Sequence, residues 1–136
     1  MLQYETRLYP FRLLSGIDSL GQHSGEIGAG ETMLYICYGV DGPDGVARRD
    51  IVRDEHFDYL KKHEDILVLG GATLADEDAT RTGSLLIINV PDRAAADAFA
   101  DGEPFRKTGV FASYTVSRMR RGQWNPDAAP KTAEGE

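Results

Sequence analysis

The chain has 136 residues, room for one domain and too little for two of full size. At 41% hydrophobic and 27% charged, its composition is that of an ordinary globular protein, not a disordered or fibrous one. Fifteen Lys and Arg against 22 Asp and Glu leave a net charge of −7, which argues against a nucleic-acid partner because a polyanion repels it. No apolar run approaches the ~20 residues that a membrane-spanning helix needs, so no membrane partner is expected. The single cysteine, Cys37, has no second thiol to pair with. A reducing, cytoplasmic location is the expectation.

Residues 1–32 read as an extension in front of the domain. Leu8, Phe11, Leu13 and Leu14 give the first twenty residues some apolar character, but no signal-peptide core. Residues 21–32 are rich in Gly and Ser and read as a flexible linker. Two readings stand side by side: Met33 is the natural start and the preceding residues are translated upstream sequence, or the extension is an arm that packs on a partner subunit. Gly28-Ala29-Gly30 is linker composition and not a phosphate loop, because no strand precedes it.

The domain is expected over 33–124. Leu34 to Tyr38 is a short apolar and aromatic run, ended by Gly39 and the turn residues 41–45, and reads as a first strand. Residues 46–63 lack Gly and Pro and are charge-rich. Ile51, Val52, Phe57 and Leu60, with Tyr59 beside them, recur at helical spacing and predict an amphipathic helix. Ile66 to Leu69, closed by Gly70-Gly71, reads as a second strand, and 75–82 as a polar turn. Gly83 to Val90 is the strongest strand signal in the chain. Asp92 is placed to cap an alanine-rich helix with Phe99 on its apolar face, ended by Gly102. After a loop at 103–105, Val110 to Val116 alternates as a fourth strand, with Phe111, Ser113 and Thr115 on one face and Ala112, Tyr114 and Val116 on the other. Residues 125–136 carry two prolines and no large apolar residue, and read as a disordered tail.

The order β-α-β-β-α-β is the split-βαβ, ferredoxin-like plan, an α+β fold with a four-stranded antiparallel sheet and both helices on one face. The other sheet face then needs a cover. A second copy, sheet against sheet, supplies it, so a homodimer through the open face is expected.

Little in the sequence carries chemistry openly. There is no dinucleotide, P-loop, zinc-helix or serine-elbow motif. Cys37 lies within the first strand, where a lone thiol reads as a small buried hydrophobe. His56 lies four residues after Val52 and four before Leu60, beside the apolar face of the first helix. It is either a satisfied half-buried residue or a site residue. His63, near the helix end, suits the C-terminal dipole. The acidic turn Asp76-Glu77-Asp78 is either a solvated loop or a source of a carboxylate that orients a histidine for acid/base work. Gly70-Gly71 either admits a ligand close to the backbone or marks a bulge. Arg118, Arg120 and Arg121 beside Trp124 read as a solvated strand end or a docking patch.

Taken together, several pieces resemble the YCII-related family of the dimeric α/β-barrel superfamily over roughly 33–124. They are the opening strand Met33-Leu34-Tyr35-Ile36; Arg53-x-x-His56-x-x-x-Leu60; Leu69-Gly70-Gly71 with Asp76 shortly after; Thr82-Gly83-Ser84; the alanine-rich second helix; and Glu103-Pro104-Phe105 followed by Gly109-Val110-Phe111. The resemblance implies a His56 and Asp76 pair as catalytic residues, with Asp78 the alternative carboxylate. Arg53, Gly70 and Ser84 are read as ligand contacts, with Arg53 otherwise a solvent ion-pair partner and Ser84 otherwise a strand-edge hydroxyl. The resemblance implies a small-molecule ligand, no metal and no cofactor. A related member is linked to removing chloride from a chlorinated hydroxyquinol, so general acid/base chemistry of a lyase or hydrolase type, on a small aromatic or polar metabolite, is the expected function. The alternative is a non-catalytic binding or accessory module of the same fold. The family often has a proline after the glycine of the second strand, where this chain has Gly71.

Overall fold

The computed structural model describes residues 30–133, so the expectations for residues 1–29 lie outside the described part of the chain. In chain order the elements are β1 (Met33–Asp41), α1 (Gly45–Lys62), β2 (Leu67–Leu74), β3 (Arg81–Val90), α2 (Arg93–Gly102), a one-turn α3 (Pro104–Lys107) and β4 (Phe111–Met119). The strands form one antiparallel sheet in the order β2-β3-β1-β4. This is the expected ferredoxin-like arrangement, with the two long connections made by helices.

Alternation assigns the two faces of the sheet. Tyr35 and Cys37 of β1 sit opposite Ile88 and Leu86 of β3, and all four are buried. Residues paired across an antiparallel ladder share a face, and this face carries the helices. Ala96, Phe99 and Ala100 of α2 complete the core with Tyr59 and Leu60 of α1 packed at its margin. The small alanines let α2 lie close to the sheet, and Phe99 fills the space that remains. Asp92 caps α2 as expected, its Oδ1 accepting from Ala95 N–H at 2.8 Å.

Among the described residues no helix covers the opposite face. It presents Leu34, Ile36, Leu85 and Ile87 half-buried, with Tyr38, Val40 and Leu69 exposed.

Four local expectations change. First, β2 does not stop at Gly70-Gly71. Gly71, Ala72 and Thr73 pair with Leu85, Ser84 and Gly83 of β3, so the ladder carries the backbone through the glycines to Leu74. Second, the buried stripe of α1 is Gly45, Arg49, Val52 and His56, while Ile51 is 80% exposed and Phe57 is 54% exposed. The spacing is helical as expected, but two of the buried positions are polar. The helix also bends at Val52, whose φ of −115° and ψ of 17° leave the helical region between Arg49 and His56. Third, a register shift between Val40 and Asp41 sets Asp41 opposite Phe111 and Val40 opposite Ser113. The extra residue of this bulge turns Phe111 to the same side as Tyr114, and the two rings lie 5.4 Å apart. Fourth, 103–105 is not a plain loop. Glu103 caps α3, with Pro104 in its first turn and its carboxylate accepting from Phe105 N–H and Arg106 N–H.

Residues 125–133, expected as a disordered tail, carry a 3-10 turn at Pro126–Ala128. None of the helices among the described residues is long and apolar enough to cross a membrane.

Candidate functional site

A cavity of about 750 Å³ opens between α1 and the β2-β3 edge of the sheet. That volume suits a small organic molecule. Its apolar wall is built by Val46, Phe57, Leu60, Leu67 and Phe105. Arg49, Arg53, His56, Asp78, Arg81 and Ser84 supply its polar groups. Ala133, near the end of the described chain, reaches the wall as well.

His56 is buried, and its Nδ1 meets Oε1 of Glu103. Glu103 is only 1% exposed. Its two oxygens also accept from the backbone N–H groups of Phe105 and Arg106, each at 3.2 Å. A carboxylate surrounded by donors acts as an acceptor, so Nδ1 of His56 carries the proton and donates it. Nε2, on the other edge of the ring, has no protein partner among the described residues, and His56 is part of the cavity wall. The imidazole lies flat on Phe105, with centroids 3.7 Å apart and planes within 12°. Ring stacking and the Nδ1 hydrogen bond together fix where Nε2 points. Phe105 is itself held in a small core with Val52 and Val110.

A second buried polar group lies two helical turns before His56. Arg49 is 6% exposed and forms a two-pronged ion pair with Asp41, Nε to Oδ2 at 2.8 Å and Nη2 to Oδ1 at 2.7 Å. Nη2 also donates to the carbonyl of Gly83 at 2.8 Å. The guanidinium carbon lies 4.8 Å from the centroid of the Phe105 ring. Phe105 therefore contacts both buried polar side chains of α1. Gly45 makes this arrangement sterically feasible, since a Cβ there would sit 2.7 Å from the Asp41 carboxylate.

Of the residues expected from the sequence, His56, Arg53, Gly70 and Ser84 all lie on this cavity. Ser84 is buried at the start of β3, and Gly70 is on the edge strand facing it. Arg53 stands over Phe57, with its guanidinium carbon 5.8 Å from the ring centroid. Asp76 is exposed and is not part of the cavity wall. Among the described residues His56 makes no hydrogen bond to Asp76; the carboxylate that meets its Nδ1 is that of Glu103. Asp78 does reach the wall. Its Oδ1 accepts from Thr80 N–H at 2.8 Å, and the hydrogen bonds from Thr80 hold its carboxyl below the usual range.

The remaining singled-out residues play other parts. His63 Nδ1 lies 2.8 Å from the carbonyl of Tyr59, one turn back, and its ring packs edge-on to Phe99. Cys37 is buried under the helices, and burial pushes its thiol above the ordinary value. Burial likewise raises the Tyr114 hydroxyl beside it. Among the described residues no three His, Cys, Asp or Glu side chains cluster closely enough to hold a metal ion.

Three members of the site were not named as site residues from the sequence: Glu103, Arg49 and Phe105. Glu103 had a local signal, since an acidic residue directly before a proline marks the start of a helical turn. Arg49 had another, because it precedes His56 by seven residues and so shares its helix face. Neither signal says what those side chains meet across the fold.

Comparison with known proteins fits this geometry. The YCII-related domain matches residues 33–120. The YciI protein of Escherichia coli is 30% identical over 96 residues, which are 65% of this chain and 98% of that protein. A protein of Haemophilus influenzae is 29% identical over a segment of the same length and coverage. Among solved structures, the 5-chloro-2-hydroxyhydroquinone dehydrochlorinase of Burkholderia phenoliruptrix, in complex with 2,5-dihydroxybenzoquinone, superposes with a TM-score of 0.62 at 31% identity. The match covers 66% of this chain and 96% of that one. The sheet order, the helix pair and the extent of the sequence match agree: this chain belongs to the YCII-related family, with the fold of the dimeric α/β-barrel proteins.

Proposed function

We propose that the protein is a small acid/base enzyme in which Nε2 of His56 moves a proton to or from a hydroxylated aromatic or quinonoid molecule held in the cavity. The observation that carries this reading is the His56–Glu103 pair. A buried carboxylate against Nδ1 fixes one tautomer and stabilises the imidazolium that forms when Nε2 takes a proton. Arg53, Gly70 and Ser84 contact the ligand from the rim and the sheet. The apolar surface of Phe57, 54% exposed, suits a ring. The dehydrochlorinase in complex with 2,5-dihydroxybenzoquinone supports the ligand class.

The test is direct. Purified protein is titrated with 2,5-dihydroxybenzoquinone, and chloride release is followed from 5-chloro-2-hydroxyhydroquinone and related chlorinated hydroxyquinols. The wild type binds the quinone. His56→Gln keeps binding within a few-fold and loses turnover by about 10²–10⁴-fold, the usual worth of a positioned general base. A His56→Gln variant that turns over at the wild-type rate ends the proposal.

The same reading includes a homodimer through the open sheet face. Leu34, Ile36, Tyr38, Val40, Leu85 and Ile87 form a contiguous apolar surface too large to leave in water without cost. Light scattering gives twice the chain mass in solution, and Ile36→Glu with Ile87→Glu halves it. A monomeric wild type rules the dimer out.

A further inference from the structure

We infer that Arg49 is the anion-recognising group of the cavity: its free Nη1 edge receives a ligand oxygen that carries negative charge, which makes the preferred ligand an ionised phenol, enol or hydroxyquinone and not a neutral ring. This inference rests on the reading of the cavity as a small-molecule site and adds the charge state of what enters it.

The argument starts from where the guanidinium's donors go. Arg49 offers five N–H bonds in a rigid fork. Nε and Nη2 are spent on Asp41 and on the carbonyl of Gly83. Nη1 has no hydrogen-bond partner among the described residues and is not fully sealed off, while the side chain as a whole is more than nine-tenths buried and forms part of the cavity wall. An arginine whose only role was to tie β1 to β3 would not need to face a cavity. The group is also held unusually firmly. Asp41 grips it in bidentate geometry, Gly83 holds it from β3, and Phe105 lies against its carbon. A donor fixed in this way loses little freedom when a ligand arrives.

The neighbours reinforce the choice of an anion. Ser84 is the residue after Gly83, is buried, and lies on the same wall, its hydroxyl without a hydrogen-bond partner among the described residues. His56 shares the Phe105 ring with Arg49, so the base and the cation are mounted on one support. At the mouth Arg53 and Arg81 are balanced by Asp50 and Asp78, so the preference for an anion rests on the directed donors of Arg49 and not on net charge. A ligand oxygen on Nη1 then sits in the cavity whose wall also carries His56 and Phe57.

The experiment compares two probes of similar size: 2,5-dihydroxybenzoquinone, whose hydroxyls are ionised at neutral pH, and hydroquinone, which is neutral there. Wild type prefers the anion. Removing Arg49 alone strands Asp41, so the informative variant is the double substitution Asp41→Asn with Arg49→Met, with Asp41→Asn as its parent. The double variant is expected to bind the anion roughly 10- to 100-fold more weakly, the range for losing a hydrogen bond to a charged group, and to bind hydroquinone unchanged. Arg53→Gln is expected to weaken the anion only a few-fold, and in a salt-dependent way. The inference is overturned if the folded double variant keeps the preference, if both probes weaken equally, or if Arg53→Gln abolishes the preference by itself. A wild type that binds neither probe overturns the small-molecule reading of the cavity and this inference together. A wild type that binds both equally overturns this inference alone.

Discussion

Glu103 and His56 lie 47 positions apart in the chain and meet side chain to side chain in the interior. The contact is possible because each side chain is delivered by a different local device. His56 comes off the buried stripe of α1, and Glu103 is the cap of α3. The same carboxylate therefore does two things. It terminates the open N–H groups of a helical turn and it orients an imidazole.

This double duty makes Glu103 separable by substitution. Glu103→Gln keeps an acceptor for Phe105 N–H or His56 Nδ1 but removes the charge. We expect a folded protein with turnover reduced by about 10²-fold or more, measured on whichever chlorinated hydroxyquinol the wild type consumes. Glu103→Ala leaves His56 and two backbone N–H groups without an acceptor. Its denaturant midpoint is expected to fall by the equivalent of about 1–3 kcal/mol per stranded buried group.

Asp76 is the contrasting case. It is exposed and lies off the cavity wall. Asp76→Asn is expected to change stability by less than about 0.5 kcal/mol and to leave turnover at the wild-type level. A large loss of turnover with intact folding would return Asp76 to the site.

The ion pair of Arg49 with Asp41 is buried on both sides, with side chains 8% exposed each. Breaking one half strands the other charge. Arg49→Met is expected to cost about 3–5 kcal/mol by urea denaturation. The double variant with Asp41→Asn recovers much of that, because no uncompensated charge remains. Additivity of the two single losses would show that the pair does not act as a unit.

Gly45 tests the steric basis of the same pair. A methyl group there collides with the Asp41 carboxylate at 2.7 Å, and that carboxylate is fixed by Arg49. Gly45→Ala is expected to destabilise by about 1–3 kcal/mol, the usual cost of overpacking, although alanine is the better helix former. A stabilised variant would mean that Asp41 moves freely.

Alkaline stability follows from Cys37 and Tyr114. Burial raises both groups above their ordinary values, so the folded chain keeps protons that the unfolded chain releases. Their contribution is fully present below the unfolded values, and it is lost as the pH rises through about 8.5–10 and towards the folded values. Thermal melts should therefore decline across that range. In native protein Cys37 should resist alkylation at pH 8 and react once guanidinium unfolds the chain. Rapid modification of the folded protein would contradict the buried thiol.

Much of the architecture was legible beforehand. The element order, the alanine-rich α2 with its Asp92 cap, and the strong strand over 83–90 are all local patterns, and local patterns survive in the fold. The misreadings were also local. Gly70-Gly71 read as a stop, but β3 offered a ladder that kept the backbone extended. Ile51 read as core, but the buried stripe instead passes through Arg49 and His56, whose polar groups find partners inside. The face of Phe111 was reversed by one bulge residue, because strand periodicity is two and a single insertion flips it.

The sequence by itself determined the two long helices, the four strands and their likeness to one family, since hydrophobic period, capping residues and turn residues act over a few positions. It also brought out His56, which its spacing left open between a satisfied half-buried residue and a site residue and which the family resemblance made a site residue. It did not determine which carboxylate that histidine meets. Asp76 and Asp78 were nearer in the chain and lay in the expected loop, whereas Glu103 lay in what read as a plain connection. Only the packing of α3 against α1 decided between them. A buried imidazole and a buried carboxylate each cost desolvation unless satisfied, and the fold brings together the two that satisfy each other.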